Sequence, residues 1–281
     1  MSHHLIEKLN QSAKEQKRFA FLELLLIWEG KVTAKQLGHQ FEISEKLAEL
    51  VIHQYLELYP ENLAFNGAEN GYVTKTKMVP QFTEGTLQDY VMQVANGQQV
   101  TQLAMPSRHV EPELVRPILQ AIREERRLKI HYASVQHPNF RERVIQPHNL
   151  VFDGMRWHVR AYCEINAAFR DFVISRFDPN QLSEVLDHAD HFDLEDESWN
   201  TELSVDIMPD PRLDSARQTL IALDYDMEST AQGFRKSIPV RAAMLMYLIQ
   251  RLGLQNKDSR PEAQQIVLTD ACEKTLQGYL S

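Results

Sequence analysis

Gly154-Met-Arg-Trp-His-Val-Arg-Ala-Tyr-Cys163, followed by Arg170-Asp-Phe-Val-Ile-Ser-Arg176, reads as two β-strands. In the first, Trp157, Val159, Ala161 and Cys163 alternate onto one face, and Arg156, His158, Arg160 and Tyr162 onto the other. In the second, Arg170 and Arg176 are six residues apart, an even spacing that predicts a shared face. A small sheet that gathers arginines, a histidine and aromatics on its polar side is suited to holding an anion.

The surrounding residues extend this sheet. Strands are predicted over Leu128–Val135, Arg141–Gln146, Leu150–Phe152, Met155–Cys163 and Phe169–Phe177, with Asp153-Gly154 as a hairpin turn. Glu111-Pro112-Glu113 opens a helix before them, with Leu114, Ile118, Leu119 and Ile122 as its apolar stripe. Five short strands after one helix predict a small, strongly bent antiparallel barrel. Asp187–Trp199 then reads as an acidic linker. A small α+β unit follows, with a strand over Thr201–Met208, a helix over Pro211–Leu220 and a strand or loop. It ends with a helix over Val240–Leu252, a strand over Gln265–Leu268 and a helix over Ala271–Leu280. The stripe Ala242, Leu245, Met246, Leu248, Ile249 and Leu252, flanked by Arg241 and Arg251, fits either a core or a dimer surface.

The N-terminal third is mostly helical. Residues 11–29 form an amphipathic pattern that stops at Gly30. Thr33 caps a short helix over Ala34–Gln40, and Ser44 caps a third helix ended by Pro60. Leu63-Ala-Phe65 and Tyr72-Val-Thr-Lys75 flank a glycine-bearing turn. Three helices and a hairpin in this order are the winged helix-turn-helix pattern, in which the third helix enters the major groove of DNA. The predicted DNA contacts are Ser44, Lys46 and His53 on that helix, Thr33 and Lys35 before it, and Lys75 and Lys77 on the wing. Residues 1–80 hold nine Lys/Arg against ten Asp/Glu, so affinity per protomer should be modest and a dimer on two half-sites is needed. The same balance fits a winged helix used for protein contacts. Thr83–Ala95 reads as a connector helix broken at Asn96-Gly97.

The chain has 281 residues, 43% hydrophobic and 25% charged, a composition expected of a soluble chain of two or three domains. No apolar run reaches the roughly 18 residues that span a bilayer, and His3, His4, Glu7 and Lys8 interrupt any signal-peptide core. The two cysteines, Cys163 and Cys272, fit reduced thiols and a cytoplasmic location. The net charge of −9 conceals a partition. Residues 123–176 carry ten Lys/Arg against six Asp/Glu, whereas 187–233 carry thirteen Asp/Glu against two Arg, so the global balance does not exclude a nucleic-acid partner.

Ile118-Leu-Gln-Ala-Ile122, Lys129-Ile-His-Tyr132, Ser134, Ile145-Gln-Pro-His148, Leu150, Trp157-His-Val159, Arg160-Ala-Tyr162, Phe169-Arg170 and Ile174-Ser-Arg-Phe177 together resemble a WYL domain. The naming triplet departs from Trp-Tyr-Leu: Val159 replaces Leu, and His158 replaces Tyr with a group that can titrate. The resemblance implies an Sm-like barrel. The whole order is similar to transcription regulators found beside bacterial phage-defence operons of the BREX type. It implies an α+β multidomain chain with a DNA-binding winged helix-turn-helix at 1–80 and a helical connector at 81–113. A ligand-sensing WYL barrel at 114–186 and a C-terminal α+β dimerisation domain at 200–281 complete it. It further implies a homodimeric repressor on an inverted-repeat operator of double-stranded DNA, sensing an anionic ligand such as a nucleotide or short nucleic acid. A ligand-activated regulator or single-stranded nucleic-acid sensor is the alternative.

The ligand-face candidates are Tyr132, Ser134, His148, Trp157, His158, Arg160, Arg170 and Arg176. Arginine forks bind phosphate oxygens in pairs, and aromatic rings stack on bases. The competing reading has these arginines paired with Glu142, Glu164 or Asp171 and holding the barrel or an interface. No cofactor or metal is expected. His188-Ala-Asp-His191 reads as a solvated cluster. A glycine-rich phosphate loop, a CxxC pair and His-Glu-x-x-His are all absent from the sequence, so no enzymatic activity is expected.

Overall fold

The computed structural model describes residues 12–94, 101, 103, 108, 110–191, 193–255 and 258–279, and the chain forms two compact units, 1–105 and 106–281. The predicted break at Asn96-Gly97 lies outside the described residues.

In the first unit, Ser12 and Glu15 form a reciprocal capping box that starts α1 (Ala13–Trp28). Strand β1 (Lys31–Val32) leads to α2 (Ala34–Phe41), capped by Thr33, and α3 (Glu45–Leu58), capped by Ser44. Between the last two the chain turns within three residues. Glu42 adopts a left-handed conformation, and the carbonyl of Gly38 accepts from the N–H of Ile43 at 3.0 Å. A Cβ at Gly38 would stand 2.9 Å from the Ile43 carbonyl oxygen, so only glycine allows this approach. Strands β2 (Leu63–Asn66) and β3 (Gly71–Thr74) form the hairpin, and β1 pairs with β3 to make a three-stranded sheet. Leu22, Leu26, Leu37, Ile52, Tyr55 and Leu63 lie at the centre of one core.

Glu23 is fully buried in this core. It accepts hydrogen bonds from the Tyr55 hydroxyl at 2.7 Å and from the backbone N–H groups of Gln81, Phe82 and Thr83 at 2.7, 2.8 and 3.2 Å. Burial still pushes its carboxyl above the ordinary range. These bonds fasten the segment after the wing onto α1. Helix α4 (Leu87–Gln93) continues the attachment, with Tyr90 donating to Glu29 and the Trp28 indole donating to the Gly85 carbonyl.

The second unit opens with α5 (Pro112–Arg123). Five antiparallel strands follow: β4 (Arg126–Tyr132), β5 (Arg141–Phe152), β6 (Trp157–Cys163), β7 (Ala168–Val173) and β8 (Glu184–His188), in the sheet order β7-β6-β5-β4-β8. Two expectations are corrected here. Residues 141–152 are one strand rather than two, because a bulge between Pro147 and Asn149 absorbs the proline while pairing with β6 continues on both sides. The fifth strand is β8, which takes in the start of the presumed linker. Strand β7 ends at Val173, and Ile174–Arg176 form a 3-10 turn. That turn brings Phe177 back to Tyr132, and the Val173 N–H donates to the Tyr132 hydroxyl, which closes the barrel. Leu114, Ile118 and Ala121 of α5 plug its interior.

After α6 (Glu197–Asn200) come β9 (Glu202–Pro209), α7 (Ser215–Asp224), β10 (Glu228–Thr230), β11 (Gly233–Arg241), α8 (Leu245–Arg251), α9 (Pro261–Gln264), β12 (Ile266–Leu268) and α10 (Asp270–Leu276). The sheet order is β10-β11-β9-β12. The helix expected from Val240 begins only at Leu245, because Val240 and Arg241 pair with Leu203 and Glu202 on β9. Leu245 and Ile249 of its apolar stripe are buried in the core against Val205 and Ile207. Cys163 and Cys272 are buried free thiols. No described helix is long and apolar enough to cross a membrane.

Candidate functional site

The register of β5, β6 and β7 sorts the polar residues onto two faces. Four residues, Glu164–Ala167, connect β6 to β7, and the hairpin pairs Cys163 with Ala168. Ala161 therefore stands opposite Arg170, and Arg160 opposite Asp171. Arg170 falls on the inner face with Val159 and Ala161, not on the face of Arg160.

At its open end the barrel holds a cavity of about 380 Å3 lined by Tyr132, Ser134, Gln136, His137, Arg143, Asn166, Arg170, Asp171, Phe172 and Arg176. Arg143 reaches Asn166 Oδ1 at 3.3 Å, while its buried Nε has no partner among the described residues. Among the described residues, nothing pairs with the guanidinium groups of Arg170 or Arg176. The lone carboxylate on the lining, Asp171, is already engaged by Arg160 and by the Tyr247 hydroxyl at 3.0 Å. Three arginines thus face one cavity with little compensating charge, a setting for an anion with several oxygens. Tyr132 and Ser134 serve mainly to shape it. The Tyr132 ring packs on Phe172 and Phe177, and Ser134 Oγ accepts from the His137 N–H. Arg143 and Asn166 are absent from the sequence-based set. Arg143 sits two residues before Ile145 on a strand whose register fixes its face, and that register is the signal that would have found it.

His148, His158 and Arg160 lie elsewhere, on the outer face, which is buried beneath residues 189–191, residues 193–200 and α8. Arg160 grips Asp196 through Nε and Nη2 at 2.7 and 3.0 Å and reaches Asp171 at 3.3 Å. His148 Nε2 lies 3.1 Å from the same Asp196, which also caps α6. His158 Nε2 lies 2.8 Å from Asp153, its ring packs against Tyr247, and its buried Nδ1 has no partner among the described residues. Arg251 donates to the Asp153 carbonyl, beside Gly154 whose φ of +89° suits glycine. Residues 189–191 and 193–200 are thus no solvated linker: His191 stacks on Tyr162 and pairs with Glu195. Trp157 is 44% exposed and packs on Phe152, at the edge and away from the cavity. This face fastens the barrel to the C-terminal sheet and helices. No cluster of metal-ligating side chains occurs among the described residues.

Burial alone would raise the pKa of Asp153 and Asp196. Donors from His158 and the Met155 and Arg156 N–H groups, and from Arg160, outweigh burial and hold both carboxyls below their ordinary values. Burial pushes His148 down despite Asp196. All three shifts act in one direction. An unfolded His148 gains its proton near pH ~6.5 while the folded ring resists it, so stability falls as the pH drops through that region. Below about pH 4 the unfolded state also takes up the protons that Asp153 and Asp196 refuse, and stability falls again. Urea midpoints of the second unit should therefore decline in two stages on acidification. His148→Gln should remove the first stage alone, and a variant that keeps both stages would contradict this assignment.

In the first unit, Thr33 and Ser44 are helix caps whose hydroxyls accept from the N–H groups of Gln36 and Leu47. Lys75 donates to the Pro60 carbonyl at 2.7 Å. His53 packs on Tyr72, whose hydroxyl donates to Glu49 at 2.6 Å. Lys35, Lys46 and Lys77 are exposed.

Residues 14–96 match the BrxR transcriptional regulator winged helix-turn-helix domain, residues 113–182 the WYL domain, and residues 202–275 the BrxR transcriptional regulator C-terminal dimerization domain. A DNA-binding transcriptional repressor CapW of Pseudomonas aeruginosa is 33% identical over 92% of this chain and 90% of its own length. That of Stenotrophomonas maltophilia is 30% identical over 94% and 91%, and that of Escherichia coli (strain KTE188) is 30% identical over 95% and 93%.

Proposed function

The chain belongs to the CapW family of DNA-binding transcriptional repressors, and from that premise we propose that it acts as a cytoplasmic homodimer on an inverted-repeat operator controlling a phage-defence operon. The domains of the reading are DNA binding at 1–80, a connector at 81–113, ligand sensing at 114–186 and dimerisation at 200–281. The effector is an anion, a nucleotide or short nucleic acid, held by Arg143, Arg170 and Arg176 at the open end of the barrel. The observation that carries this is the cavity with three arginines and almost no opposing charge.

Transmission follows from adjacency on β7. Arg170 faces the ligand and its neighbour Asp171 faces the other way, onto Arg160 and the Tyr247 hydroxyl of α8. A ligand that draws Arg170 inward strains the Asp171 contacts and favours a second seating of the C-terminal elements. It shifts the equilibrium only as far as it binds one seating better than the other.

A gel-shift titration with DNA from immediately upstream of the gene, against a scrambled duplex, tests the reading at near-physiological salt. Selective binding by two protomers, reversed by a short phosphate-bearing oligonucleotide, is the expected result. Binding that appears only when the oligonucleotide is added would favour the ligand-activated alternative. Absence of selectivity under both conditions would overturn the reading.

A further inference from the structure

Helix α3 carries a large apolar side chain where it has no packing role. Leu50 is 59% exposed. At 100° per residue it shares the outermost face of the helix with Lys46, His53 and Glu57, opposite the buried Ala48, Val51, Ile52 and Tyr55. The helix is short of cations. It bears three glutamates against one lysine, and among the described residues only Glu49 of these is partnered, by the Tyr72 hydroxyl and by His53. A helix of this charge gains little from phosphates. If it enters a major groove, its grip there must come from base edges, and Leu50 is the apolar side chain on the face that meets them.

We infer that Leu50 is a specificity-determining residue that reads thymine through its 5-methyl group. Among the groups that base pairs present in the major groove, the thymine methyl is the apolar one that a leucine can cover without leaving a polar edge unpaired. The inference rests on the proposed seating of α3 in operator DNA. Continuity with the winged-helix domain supports that occupant, since Gly38 sets the tight turn that presents α3 outward.

The test uses the full-length protein and a duplex selected for tight binding from a random library. Each thymine is replaced in turn by deoxyuridine, which keeps every hydrogen-bonding group and lacks only the methyl. At one or two positions per half-site the replacement should weaken binding by the protein roughly fourfold, the worth of one buried methyl. Leu50→Ala should bind the thymine duplex more weakly by at least as much and show no further loss with deoxyuridine at those positions. Leu50→Met should recover the discrimination. The exposed position lets both variants fold, which circular dichroism verifies. Selective binding indifferent to every deoxyuridine, or an unchanged deoxyuridine penalty in Leu50→Ala, would overturn the inference alone. Failure to select any duplex would instead overturn the DNA-binding seating beneath it.

Discussion

Replacing Arg143, Arg170 and Arg176 together by glutamine is expected to weaken binding of a short phosphate-bearing oligonucleotide on the order of a thousandfold. Arg170 and Arg176 are unpaired among the described residues and Arg143 keeps donors beyond its bond to Asn166, so each guanidinium can give charge-assisted hydrogen bonds, worth about 1.5–3 kcal/mol apiece to a charged acceptor. Three lost together amount to at least that factor even with imperfect additivity. The dependence of affinity on salt should flatten as well, by about 0.7 in logarithmic slope for each phosphate no longer neutralised. None of the three holds the fold: Arg170 and Arg176 have no side-chain partners among the described residues, and Arg143 contacts only the side chains of Asn166 and Cys163. Urea midpoints and duplex affinity should therefore stay near those of the unaltered protein. Fluorescence anisotropy with a labelled oligonucleotide over a salt series measures both quantities. Affinity that survived the triple change would move the ligand away from this cavity.

Arg160→Ala has a large effect of another kind. It is expected to destabilise the second unit by about 3–5 kcal/mol, the usual consequence of removing one member of a buried ion pair. The loss is mostly the burden left behind. Asp196 and Asp171 would remain largely buried and close to each other without their shared cation. Arg170→Ala, ten residues along the chain, should change stability by no more than about 0.5 kcal/mol, as for an exposed side chain. Near-ultraviolet circular dichroism in urea compares the two. Equal midpoints would mean that Arg160 does not anchor the barrel to the C-terminal elements. The contrast separates two arginines that the sequence presents as equivalent.

The elements themselves were largely legible in the chain. The amphipathic period of residues 11–29 and the caps Thr33 and Ser44 announce the first three helices, Asp153-Gly154 marks the hairpin, and the run of β-branched and aromatic alternation marks the barrel strands. These are local signals, set by capping bonds, turn dihedrals and side-chain period, and they need no distant partner. The motif series from Ile118 to Phe177 carried the family with them. Of the three arginines that line the cavity, Arg170 and Arg176 were visible as well, but undivided from Arg160, and Arg143 was missed.

What the sequence could not decide was which face meets solvent. Alternation tells polar from apolar; it does not tell a solvated polar face from one buried under another element. Arg160, His148 and His158 lie on a polar face covered by residues 189–191, residues 193–200 and α8, and that burial is stable only because Asp153, Asp171 and Asp196 arrive to pair with them. Asp196 is 36 residues from Arg160 in an acidic stretch that reads as a solvated linker. The inner face was equally hidden: a four-residue connection sets the β6–β7 register, and one residue more or less would exchange Arg170 with Asp171. Local composition thus determined the helices, the strands and the supply of cations. Tertiary pairing and register, which depend on residues far apart in the chain, decided which cations hold the protein together and which remain free for a ligand.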